Sequence, residues 1–124
     1  MVPGQVFQGK QYPYVHLHIV LSHPTSDGEV VVVNLTEQDS DKDSSCILKP
    51  GDHPSLTKAS TVYYRMACFF QSDALDDAVK AHLVDEREPL TDDVFQLVLD
   101  GASVSKAFKP KFKRILLEQG LIGS

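Results

Sequence analysis

The N-terminal half of the chain alternates short apolar runs with turn residues, the pattern of a small β-barrel or sandwich. Gln5–Gln8 reads as a first strand after Pro3-Gly4, and Tyr14–Ser22 as a second, closed by His23-Pro24. Ser26-Asp27-Gly28 supplies a turn, and Glu29–Leu35, dense in valine, a third strand that forms a hairpin with the second. Thr36–Ser45 holds only polar residues, with neither Gly nor Pro, and is expected to be a mobile excursion between strands. Cys46–Leu48 resumes as a short strand, Lys49–Pro54 (KPGDHP) turns, and Ser60–Phe70 reads as a long strand rich in β-branched and aromatic residues.

The period changes after Phe70. Ala74, Leu75, Ala78, Val79 and Leu83 recur at helical spacing over Asp73–Leu83, with Ser72 as the expected cap. Thr91-Asp92-Asp93 opens a second helix over Val94–Leu99, with Gly101 as its expected stop. A third helical stretch, Val104–Leu117, is interrupted by Pro110, which starts a new helix there or kinks the chain. These elements predict one α+β domain over residues 1–124, with an antiparallel β-barrel over 1–71 and a helical C-terminal extension of two or three helices over 72–124.

Composition narrows the classes. The chain has 124 residues, of which 42% are hydrophobic and 23% charged, so it can bury its own core. A formal charge of −5 argues against a protein that coats nucleic acid non-specifically, because such binding rests on phosphate neutralisation. Charge is uneven, however: Asp73–Asp93 is strongly acidic, whereas Lys106, Lys109, Lys111, Lys113 and Arg114 form a basic run. Cys46 and Cys68 have no CxxC spacing and the first residues lack the apolar stretch of a secretory signal, so a cytoplasmic protein with reduced thiols is expected. The longest apolar runs fall far short of the roughly 20 residues that span a bilayer, so no membrane partner is expected.

Three stretches can carry chemistry. In HLHIVLS, residues 16–22, His16 and His18 are two apart and share a strand face, which predicts a polar face there. They suit a metal pair, an acid and base, or packing rings. Cys46, Asp52, His53 and Cys68 are the further residues a metal would need, but none stands at a recognised ligand spacing, and no metal is expected. The strand 30–35 ends in Asn34-Leu35-Thr36 beside the polar loop, a common way to present a carboxamide and a hydroxyl to a ligand. Finally Lys49, His53, Lys58, Ser60 and Arg65 are interleaved with Tyr63 and Tyr64, which suits single-stranded nucleic acid or an ordinary barrel strand with snorkelling side chains.

Four motifs order these pieces. Pro3-Gly4-Gln5-Val6-Phe7, His16–Ser22, Val32-Val33-Asn34-Leu35-Thr36 and Leu56–Val62 resemble, in that order, four strand motifs of the MazF/PemK family of bacterial toxins. Members of that family are small SH3-like barrels that cleave single-stranded RNA without a metal. The resemblance covers residues 3–70. It puts His16 where the family carries its catalytic arginine, Leu17 at the proline that follows it, Asn34 at a further proline, and Thr36 at the catalytic threonine.

The resemblance implies a metal-independent endoribonuclease without a cofactor, paired with an antitoxin and homodimeric. Such cleavage needs a base for the 2′-hydroxyl, an acid for the leaving 5′-oxygen and donors for the charged phosphorane. His16 with His18 or His53 can exchange the protons, and Thr36 with Arg65 or Lys58 can meet the phosphate. The expected catalytic residues are therefore His16, His18, Thr36 and Arg65, and the expected substrate-binding residues are Asn34, Lys49, His53, Lys58, Ser60 and Tyr64. The alternative is a non-catalytic barrel module that holds a peptide or protein between the Thr36–Ser45 loop and the Lys49–Ser60 turn, favoured by the lost arginine-proline pair and the negative charge. A metal-dependent hydrolase using His16 and His18 is the third reading.

Overall fold

Val30, Val31, Val32 and Val33 are all fully buried. Consecutive strand residues point to opposite faces, so four buried neighbours require a sheet covered on both sides. The computed structural model, which describes residues 1–10, 16–39 and 42–123, shows how the cover is made. The chain runs β1 (Val6–Gly9), β2 (Leu17–Val20), β3 (Glu29–Glu37), β4 (Ile47–Leu48), β5 (Ser60–Gln71), α1 (Ser72–Lys80), β6 (Val84–Arg87), α2 (Asp92–Val104) and α3 (Pro110–Glu118).

The six strands form one antiparallel sheet in the order β4-β5-β3-β2-β1-β6, curled into a half-barrel, and with three helices the fold is α+β. On one face Val6, Ile19, Val31, Val33, Val62 and Tyr64 meet Val98, Leu99, Phe108, Phe112 and Leu116 from α2, α3 and the segment between them. On the other, Phe7, Val20, Val30 and Val32 meet Leu75 of α1.

The strands fall where expected but with changed bounds. Of the expected Tyr14–Ser22 strand, residues 14 and 15 lie outside the described residues and only Leu17–Val20 is strand, with His16, Leu21 and Ser22 outside it, while β3 runs on to Glu37. Within β3 and β5, Val32 pairs with Cys68 but Asn34 pairs with Tyr63, so residues 64–67 of β5 all lie against Val33. Such a bulge re-aims side chains, and Arg65 and Met66 are left exposed in the middle of a strand.

The second half departs further from the periodic reading. Ser72 is the first helical residue, not the cap: Gln71 holds that place, and the Ser72 N–H donates to the Gly28 carbonyl at 2.9 Å, tying α1 to the β2–β3 turn. The helix stops at Lys80 because His82 turns left-handed (φ 59°), with its N–H on the Val79 carbonyl and that of Leu83 on the Ala78 carbonyl. Residues 72–124 are therefore not wholly helical, since Val84–Arg87 returns to pair with β1. Thr91 does cap α2, accepting from the Val94 N–H, but α2 passes through Gly101 to Val104. Pro110 takes the first position of α3, where its missing N–H costs nothing.

Candidate functional site

A cleft of about 240 Å³ opens where β2, β3 and β5 end, lined by Gln8, His16, Leu17, Leu35, Thr36, Glu37, Ser60 and residues 55–58. Its construction follows from strand register. The β2–β3 ladder ends with His18 paired to Asn34, and two residues beyond that pair on each chain His16 and Thr36 both line the cleft. On the other side Thr36 pairs with Thr61 and Glu37 with Ser60. The remaining wall, Ser55–Lys58, hangs on His53, whose ring is buried. Its Nε2–H donates to the Glu88 carbonyl at 2.6 Å, and its Nδ1 accepts the Ser55 N–H at 3.0 Å. Those partners fix the tautomer and leave the imidazole engaged on both sides.

The polar side chains in the cleft are linked. Lys58 Nζ lies 3.6 Å from the Glu37 carboxylate, both exposed, and the Ser60 hydroxyl donates to the Lys58 carbonyl at 3.2 Å. Thr36 Oγ1 accepts from Lys42 Nζ at 3.1 Å, and the same ammonium donates to the Glu37 carbonyl at 2.9 Å and lies 3.3 Å from the Asp39 carboxylate. The described part of the polar loop is thus attached rather than a free excursion; residues 40 and 41 lie outside the described residues. Asp43 reinforces it: its carboxylate accepts from the Ser45 N–H and hydroxyl and from the Ser105 hydroxyl, and its carbonyl accepts from Thr61. Burial alone would raise the Asp43 pKa, but those hydrogen bonds hold it below the usual carboxylate value.

His16, Thr36, Lys58 and Ser60 therefore share one cleft. The other expected site residues lie elsewhere. His18 is 6% exposed, its ring stacked on Phe7 at 4.9 Å and 8°, and its Nδ1 hydrogen-bonds the His16 carbonyl at 2.7 Å. The strand face expected to be polar is instead the Phe7, Val20, Val30, Val32 core, and burial lowers the His18 pKa. Tyr64 cannot meet a substrate, because it is fully buried and its hydroxyl donates to the Val98 carbonyl at 2.6 Å. His53 is held in the core as described. Lys49 is exposed in the turn, where its N–H donates to Asp52, and it does not line the cleft. Asn34 is half-buried, two pairs inward from Thr36 along the β3–β5 ladder.

Arg65 lines a second cleft of about 220 Å³ together with Lys42, Asp43, Tyr63 and Ala107. Among the described residues no three His, Cys, Asp or Glu side chains gather where an ion could be held, so His16 and His18 find no third ligand. Burial pushes the Cys46 thiol up to about 11. Among the described residues no helix is long and apolar enough to cross a membrane.

Sequence reasoning missed Gln8, Glu37, Ser55, Thr57 and Lys42. Glu37 was legible as the residue after Thr36 in an extended strand, had β3 been carried on by two positions. Lys42 was hidden among acids in a segment without periodicity.

No family model matches the chain. No curated protein matches it either. Among solved structures, an endoribonuclease in complex with its cognate antitoxin from a mycobacterial species matches with a TM-score of 0.55 at 14% identity, over 88% of this chain and 95% of that one. The likeness is one of fold, and it extends past the sheet into the C-terminal helices, beyond the residues that carry the sequence resemblance.

Proposed function

We propose that this chain is a toxin-type endoribonuclease that cleaves single-stranded RNA at the His16–Thr36 cleft without a metal. The observation that carries the reading is the convergence of His16, Thr36, Glu37 and Lys58 on one cleft, in a fold like that of the mycobacterial endoribonuclease. Glu37 takes the place foreseen for His18 as the second proton carrier. Its carboxylate accepts the 2′-hydroxyl proton, the 2′-oxygen attacks the adjacent phosphorus, and the 5′-oxygen leaves with a proton from the His16 imidazolium. Thr36, Lys42 and Lys58 offer a hydroxyl and two ammonium groups to the phosphorane oxygens. The products are a 2′,3′-cyclic phosphate and a free 5′-hydroxyl.

The test is incubation of a long single-stranded RNA with the purified protein in EDTA. His16→Ala and Glu37→Gln are each expected to slow cleavage by roughly 10²–10⁴-fold, and a 2′-deoxy nucleotide at the cut position to block it. RNA left intact by the wild type overturns the reading.

The neighbour's complex with its antitoxin supports a protein partner here too, and the family resemblance supports a homodimer. A non-catalytic module is the alternative, supported by the net charge of −5. A protein that captures a partner polypeptide while leaving RNA uncut would favour it.

A further inference from the structure

Apart from Lys42, the residues of the second cleft have no role in the chemistry above, and that one side chain joins it to the first. Lys42 lines the second cleft and places its Nζ 3.1 Å from Oγ1 of Thr36, which lines the first. Arg65 reaches the second cleft because the β5 bulge turns it outward, and among the described residues it forms no ion pair. A guanidinium presents a planar fork of donors that matches two phosphate oxygens. Beside it stands the half-buried Tyr63, an aromatic surface on which a base can stack.

The one acid in the lining, Asp43, has its carboxylate occupied by Ser45 and Ser105. Ala107 also lines the cleft, and Lys106, its neighbour in sequence, begins the basic run 106–114, whose cations form no ion pair among the described residues. Among the described residues, nothing from the acidic segment 73–93 lines either cleft.

We infer that the two clefts form one track for a single RNA strand, in which the second is a flanking-nucleotide subsite where Arg65 binds a phosphate and Tyr63 stacks a base. This inference rests on the endoribonuclease reading for the identity of the ligand. It explains how a chain of net charge −5 can select RNA: affinity comes from the cations that line the two clefts, Lys58, Lys42 and Arg65, and not from overall charge.

The test is fluorescence anisotropy in EDTA with uncleavable 2′-O-methyl RNA, comparing a dinucleotide with an oligonucleotide of about 10 nucleotides. Arg65→Ala and Tyr63→Leu are each expected to weaken the longer ligand about tenfold and leave the dinucleotide unchanged, and Arg65→Ala to lower the salt slope by about one. Arg65→Lys should recover part of the loss. Unchanged affinity and slope in Arg65→Ala overturn the subsite, even if the wild type cuts RNA. Arg65-dependent binding of RNA that is never cut supports the track while refuting the nuclease. A wild type that binds neither RNA overturns both.

Discussion

An imidazole packed face to face on Phe7 can take a proton only by carrying charge into apolar surroundings. Burial is the main cause that lowers the His18 pKa below its ordinary 6.5, and the nearby His16 adds to it, against the raising effect of the His16 carbonyl. The unfolded chain therefore binds a proton at a pH where the folded chain still refuses it. Stability falls as pH drops below about 6.5 and levels off once the lowered folded value is passed. Urea unfolding at stepped pH should show that slope in the wild type and a flatter one in His18→Phe, which keeps the stack but cannot titrate. Asp43 has the same dependence in a lower window: its lowered pKa contributes stability above about 3.8 that is lost as pH falls further. At this scale the sequence suggested that His16 and His18 share a strand face, but β2 starts at Leu17, and nothing in the sequence showed that Phe7 and Phe70 would close over His18 while His16 stays exposed. Alternation says which residues share a face; only the cross-strand partner says whether that face is wet.

Gly101 shows the same limit for an element. A glycine after an apolar period reads as a helix stop, yet α2 continues through it to Val104. Its role is clearance: a Cβ there would stand 2.7 Å from Cys46 Cβ and closer still to the Tyr64 hydroxyl, so the helix lies directly on the sheet. Gly101→Ala is expected to destabilise by about 1–3 kcal/mol, measured by urea unfolding. Tyr64→Phe removes one of the two obstructing groups together with the hydrogen bond to Val98, so the double variant should cost less than the sum of the singles. Helix ends were harder to read than helix existence. α1 and α3 close with the same pair of bonds, but α3 places Gly120 in the left-handed position and α1 places His82 there. His82→Gly should raise stability by about 1 kcal/mol or less, relief of backbone strain being partly offset by unfolded-chain entropy. β6 left no signal because its four residues, Val84–Arg87, are polar or partly exposed; it is held by backbone pairing to β1, which no side-chain period records.

For the whole molecule, what the sequence divides at residue 71 the core does not. The strands of residues 1–71 bury one face only against Leu90, Val98, Leu99, Phe108, Phe112 and Leu116, and β1 finds its outer neighbour only in β6. Removing even one such large side chain from a packed core costs about 2–5 kcal/mol, against a total stability of about 5–15 kcal/mol for a domain. A fragment ending at Gln71 lacks all of them and also Leu75, which covers the opposite face. It is expected to stay unfolded: amide proton shifts collapsed into the random-coil range, and no cooperative transition in urea. A dispersed spectrum with a cooperative transition would show instead that the half-barrel folds alone and the helices are an addition to it. The outcome bears on the site as well, because the Ser55–Lys58 wall of the cleft depends on the hydrogen bond from His53 to Glu88, which the fragment lacks. The cleft that unites His16 with Thr36 is therefore expected to exist only in a chain that includes the segment following β6, even though both residues belong to the first half.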